Sequence, residues 1–249
     1  MFWSGRQLEQ EPFHGAAVQL LRRQIHLGQL QPHEQLPPER RLSETLGIAR
    51  VTLREAFKVL EDGEYIVSKR GKTGGTFVAN EGQINEIARR NLVKDPGNAW
   101  RMLEYLRANL LIAVECAMDR RSPGDLAALE ATTQRLSAAS SGAKFREIRF
   151  SFLTGIGIAS ANPYFTDAIT LALDGLFHPI SEDNFQSAKP FLLERFTEMA
   201  ATLKRRDMPA GKRLCVLLLD DIAQAVNDGM NSWASGRPTR DEASTTHLL

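Results

Sequence analysis

A chain of 249 residues, 43% hydrophobic and 24% charged, is long enough for one large or two ordinary domains and too apolar to be disordered throughout. A net charge of +1 argues neither for nor against nucleic acid, although residues 1–80 carry 11 Lys/Arg against 9 Asp/Glu and the remainder 20 against 21. No apolar run reaches the roughly 18–20 residues of a membrane span, Met1 to Arg6 runs into Glu9 and Glu11 unlike a secretory signal, and Cys116 and Cys215 form neither a close pair nor a metal spacing; a reduced, cytoplasmic setting is expected.

In chain order, Val18, Leu21 and Ile25 lie at helical spacing and predict a first helix over about 13–27, stopped at Gly28. Leu36-Pro37-Pro38-Glu39-Arg40 opens a second: proline is tolerated in a first turn, and Glu39 suits the positive helix end. That helix breaks at Gly47. A third starts near Ala49-Arg50, with Leu53, Ala56, Phe57 and Leu60 as one stripe and Arg50, Thr52, Arg54 and Lys58 opposite. Two strand-like runs follow, Tyr65–Val67 and Thr76–Val78, joined by the basic, glycine-rich loop Lys69–Gly75, and read as a β-hairpin. Helix, helix, turn, helix, hairpin is the order of a winged helix-turn-helix.

Residues 80–83 read as a linker. Beyond them helices are predicted near 84–95, 98–121, 124–139, 143–160, 163–180, 187–206 and 209–231, separated by turns such as Asp95-Pro96-Gly97, Asn162-Pro163 and Met208-Pro209. No segment there has strand period. The expected fold class is mainly α: a winged helix-turn-helix domain (1–79), the linker, an all-α antiparallel helical bundle (84–232), and a polar, flexible tail (233–249).

Three motifs between Leu36 and Val78, namely LPPERRLSETLG, IARVTLREAFKVLEDGEYI and KRGKTGGTFV, resemble the GntR family of winged-helix regulators in order and spacing. The helical remainder is similar to the family's FadR-like (FCD) effector domain, most clearly at Ala159–Asn162 and Lys204–Gly211. The resemblance implies a homodimer on a palindromic operator in double-stranded DNA, with the start of the third helix in the major groove. Arg50 and Arg54 would then read guanine or grip phosphate, Thr52 would touch a phosphate or a thymine methyl, and Arg40 matches a family arginine that reaches DNA. Lys72, Gly74 and Gly75 at the wing tip would approach the minor groove or backbone. Ala49 departs from the family's usual Ser or Thr, so the helix lacks a side-chain cap, and Val51 is apolar where a polar contact is common.

Many FCD domains hold a divalent metal through one Asp and three His. Here the matching positions are Arg149, Leu153, Phe196 and Leu218, and of the five histidines only His178 falls inside the sensor core, so no metal and no cofactor is expected. Arg107 is read as sitting in the stripe Leu103, Leu110, Val114, and Arg149 in the stripe Phe145, Phe152, Ile156. A buried guanidinium needs a carboxylate, water or a ligand anion. One reading is therefore a pocket walled by Phe152, Leu153, Phe196, Met199 and Leu218, where Arg107 or Arg149 grips the carboxylate or phosphate of a small organic acid or acyl compound and Asn162 adds a polar contact. The other reading pairs Glu104 with Arg107 and Asp221 with Arg149, with no ligand. The resemblance thus implies a ligand-controlled regulator, a repressor by expectation, or alternatively a constitutive DNA-binding dimer whose effector domain no longer binds anything. No nucleophile elbow, phosphate-cradling loop or metal cluster is visible, so an enzyme is not expected.

Overall fold

The computed structural model describes residues 13–71 and 74–234, which fall into two units divided after Ile84. In the first unit, α1 (Phe13–His26), α2 (Glu39–Leu46) and α3 (Arg50–Asp62) precede an antiparallel hairpin of β1 (Ile66–Lys69) and β2 (Gly75–Val78). Ala17, Leu21 and Ile25 of α1 meet Leu53, Ala56, Phe57 and Leu60 of α3 in a core that excludes water. Gly47 ends α2 with φ 65°, and Ile48 N–H returns to the Ser43 carbonyl, a left-handed stop that a side chain would strain. The α3 stripe lies where the spacing places it. Its N-cap, Ala49, makes no side-chain cap bond.

The hairpin has a further partner that alternation does not reveal. Leu36 N–H donates to the Thr76 carbonyl at 2.8 Å and Val78 N–H to the Glu34 carbonyl at 2.9 Å, so residues 33–36 lie along the free side of β2. Too short and too close to prolines to read as a strand, this segment ties the helix 1–2 connection to the wing.

Glu81–Gln83, expected as linker, form the first turn of α4 (Glu81–Lys94). The second unit continues with α5 (Pro96–Arg120), α6 (Pro123–Ser137), α7 (Gly142–Ala159), α8 (Pro163–Gly175), α9 (Glu182–Arg205) and α10 (Met208–Ala234), with no strand among the described residues. Asp95, Ser122, Ser141, Asn162 and Ser181 each accept a backbone N–H at a helix start, which is why the turn signals locate most boundaries. Two boundaries differ from expectation by five residues each. Helix α8 stops at Gly175 instead of 180, because Pro179 disfavours helix before it; α9 starts at 182 instead of 187, capped by Ser181 with Glu182 and Asp183 in its first turn. Residues 235–249 of the expected tail lie outside the described residues, and 233–234 still belong to α10.

Helix α7 is the centre of this unit, packing on α5, α6, α8 and α9. Phe152 of α7 and Phe196 of α9 stack face to face with ring centroids 3.7 Å apart, both fully buried. No helix among the described residues is long and apolar enough to cross a membrane.

Candidate functional site

On the first unit, Arg50 opens α3 and Arg54 follows one turn later, so both guanidinium groups project from one exposed face. Among the described residues Arg50 has no ion-pair partner. Arg54 does: its Nε donates to Glu39 Oε2 at 2.8 Å, across from the first turn of α2. Arg40, also exposed, comes within 4.0 Å of Glu44. Thr52 is partly exposed and Val51 exposed. Sequence reading gave Glu39 only a helix-dipole role; its geometry also makes it the residue that orients Arg54.

At the wing, Gly74 N–H donates to the Gly71 carbonyl at 2.9 Å, Gln35 Nε2 reaches the Gly74 carbonyl at 3.3 Å, and Gly75 opens β2 with φ 149°. Lys72 lies outside the described residues. A Cβ on Gly74 would sit 2.5 Å from the Lys69 carbonyl oxygen and 2.8 Å from that of Gly71, so the tip would have to open. Gly74→Ala is expected to weaken operator binding several-fold in an anisotropy titration while the helical unit's circular-dichroism melt is unmoved; unchanged affinity would remove the tip from the interface.

The second unit contains a cavity of about 310 Å³ between α7, the loop 176–181, the start of α9 and α10. Arg149 lies in its wall, only 8% exposed. Its Nη1 faces His178 Nε2 at 3.4 Å, and His178 Nδ1 lies 2.8 Å from the Leu176 carbonyl. That carbonyl can only accept, so the imidazole carries its proton on Nδ1 and offers its Nε2 lone pair to the arginine. Among the described residues no carboxylate pairs with Arg149; the expected partner, Asp221, instead takes Arg195 Nε at 3.1 Å. Burial, then the neighbouring Arg146 cation, lower the Arg149 pKa to about 10. Charged at neutral pH and facing a neutral ring, this arginine has no ionic partner among the described residues.

The same surroundings act on His178. Burial first, then the charge of Arg149, outweigh the Leu176 carbonyl and lower its pKa to about 3. The unfolded chain therefore takes up a proton below about pH 6.5 that the folded chain refuses until about 3, and folding stability drops as pH falls through that window. Relative to His178→Gln, the wild type is expected to lose about 1.4 kcal/mol per pH unit between roughly 6 and 4 in urea titrations. Parallel pH profiles would refute the assignment.

Arg146, also buried, lies over the Phe177 ring and reaches the His178 carbonyl at 3.4 Å and Asn85 Oδ1 at 3.5 Å. Asn85 in turn donates to the Ile180 carbonyl and accepts from Ile180 N–H, each at 3.0 Å. The cavity-lining loop is thus tied to α4 through the Asn85 side chain. Neither Asn85 nor Arg146 was singled out in the sequence; the signal was the apolar run Leu176-Phe177-His178-Pro179-Ile180, a loop too greasy to lie on a surface.

The remaining sequence-derived positions are distributed differently. Arg107 is exposed and pairs with Asp220 at 2.9 Å, not Glu104; Leu106 takes the buried place on α5. Phe152, Leu153, Phe196 and Leu218, like Met199, are fully buried in the helical core rather than lining the cavity. Asn162 spends its side chain capping α8, accepting Tyr164 N–H at 3.1 Å. No group of three or more His, Cys, Asp or Glu among the described residues could hold a metal ion.

Residues 14–78 match the family model described as bacterial regulatory proteins, gntR family. Over 66 residues the chain is 44% identical to the HTH-type transcriptional regulator RmpR of Mycobacterium gastri, a match covering 26% of this chain and 24% of that protein. Over 199 residues it is 26% identical to the fatty acid metabolism regulator protein of Proteus mirabilis, covering 78% of this chain and 82% of that one. The solved structure of E. coli McbR/YncC superposes with a TM-score of 0.54 at 18% identity, covering 87% of this chain and 98% of its own, which shows a shared fold. Both of these curated relatives are named as regulators. Residues 14–78 thus match the gntR-family module of bacterial regulatory proteins, within a chain that shares its fold with the McbR/YncC structure.

Proposed function

We propose that this protein is a GntR-family transcription regulator, a cytoplasmic, homodimeric repressor that binds a palindromic operator and is controlled by a small carboxylate held at Arg149 without a metal. Arg50, Thr52 and Arg54 would face the major groove, Arg40 the flanking phosphates, and Lys72, Gly74 and Gly75 the minor groove or backbone. The observation that carries the effector reading is the buried guanidinium of Arg149 in a cavity wall, with His178 as its neutral partner. A planar fork of donors suits two carboxylate oxygens. Phe152, Leu153, Phe196 and Leu218 would support the site from behind as core, and Arg107 and Asn162, engaged elsewhere, would have no direct part in it.

Control requires the ligand to favour one of two states. Support for a route comes from Asn85: it grips the cavity loop at Ile180 and belongs to α4, the helix that begins at Glu81 in the first unit. The test starts from a duplex selected out of a randomised pool by the full chain, whose affinity is then measured with a panel of small carboxylates. A ligand that lowers operator affinity in the wild type and not in Arg149→Met supports the proposal. If no member of the panel alters DNA binding, the constitutive reading replaces it.

A further inference from the structure

We infer that the cavity's ligand is amphoteric: an amino-acid-like compound whose carboxylate meets Arg149 and whose ammonium faces Asp228. The inference rests on the effector reading above and adds the second end of the ligand. Two acids line the cavity, both on α10. Asp221 is already engaged by Arg195. Asp228, two helical turns further on, has only a neutral neighbour, accepting from Gln224 Nε2 at 2.8 Å on its own helix. Among the described residues no cation pairs with it. The wall therefore presents one uncompensated guanidinium, deeply buried, and one uncompensated carboxylate, exposed.

Candidate ligand classes differ in how they meet that pair. A dicarboxylate or phosphate satisfies Arg149 and sets a second negative charge toward Asp228. A simple monocarboxylate satisfies Arg149 and leaves Asp228 idle. A zwitterion answers both and matches the wall's balance of charge. Between the two ends, Phe145, Leu192 and Ile222 supply apolar surface for a carbon skeleton, and Asn184 and Ser187 neutral hydrogen-bonding groups. At ~30 Å³ per water, the cavity of about 310 Å³ equals about ten water volumes, room enough for a free amino acid.

The experiment is calorimetry on the full chain with the twenty common L-amino acids and 6-aminohexanoate, each against its deaminated counterpart, such as leucine with 4-methylpentanoate. The expected result is at least one pair in which the amino compound binds about five-fold tighter, a modest factor because Asp228 is exposed. Asp228→Asn should erase that preference, Asp228→Lys should reverse it, and Arg149→Met should abolish binding of both members. Circular-dichroism melts of each variant establish that it is folded. Equal affinity within every pair, still lost in Arg149→Met, overturns the amphoteric ligand and leaves the carboxylate site standing. Binding indifferent to Arg149→Met, or no binding at all, overturns both.

Discussion

Arg149→Met is expected to give a protein that is more stable than the wild type and unable to hold an anion in its cavity. The guanidinium is 8% exposed, has a neutral imidazole as its partner, and its pKa is lowered to about 10 by burial and by Arg146. Because the folded-state pKa lies below the ordinary arginine value, the full penalty for keeping the charge applies at every pH below about 10. At 1.36 kcal/mol per pKa unit that penalty is of the order of 3 kcal/mol. Methionine follows the aliphatic stem of the arginine, fills irregular space and carries no charge. Replacing even paired buried ions by well-packed apolar side chains is often neutral or stabilising by about 1–4 kcal/mol, and this guanidinium has no ionic partner among the described residues. Thermal and urea unfolding at pH 7 should therefore move upward by several degrees, while calorimetry with any carboxylate that binds the wild type returns no heat. A residue kept at such a cost to stability is the mark of a functional site. If Arg149→Met is instead less stable by more than about 1 kcal/mol, the arginine is part of the structural framework and the cavity needs another anchor.

The contrast between Arg149 and Arg107 shows how far the sequence could be read. Both lie among apolar residues at helical spacing. In α7 nearly the whole circumference is buried, from Phe145 and Ile148 to Phe152, Leu153 and Ile156, so an arginine anywhere between them had to be inside. In α5 one face is exposed, and a stripe through Leu103 and Leu110 admits either position 106 or 107; Leu106 takes the inner place and Arg107 turns outward to Asp220. Hydrophobic period fixes a helix face to within about one residue, which separates 106 from 107 only when the other side chains are weighed too. The winged head was legible nearly to the residue because its fold is local and each boundary carries its own signal, Pro38, Gly47 and Gly63 among them. The cavity was not, because its walls come from α7, α9, α10 and the loop between α8 and α9, brought together by packing rather than by any spacing along the chain. For the same reason the Arg54–Glu39 pair, 15 residues apart on different helices, escaped the reading that placed both residues at helix starts.

That pair gives the second large expected effect. Arg54→Ala should lower affinity for the selected operator by about 1–3 kcal/mol, roughly 5- to 150-fold, and relax the sequence preference at one base pair if Arg54 reads guanine. If it holds a phosphate, affinity falls on all duplexes alike and the salt slope drops by about one. Glu39→Gln separates two opposed consequences of one carboxylate. Near a polyanion Glu39 repels, so its removal should strengthen binding to random DNA. Yet its 2.8 Å bond to Nε fixes the fork of Arg54, so removal should also blur the geometry on which bidentate reading depends. The ratio of specific to non-specific affinity should therefore fall in Glu39→Gln even as total DNA binding rises, and the substitution should leave that ratio untouched when made on top of Arg54→Ala. Anisotropy titrations at several salt concentrations on the four proteins supply both ratio and slope. A higher ratio in Glu39→Gln would mean that the carboxylate restrains Arg54 in free protein and must release it to DNA, rather than aiming it.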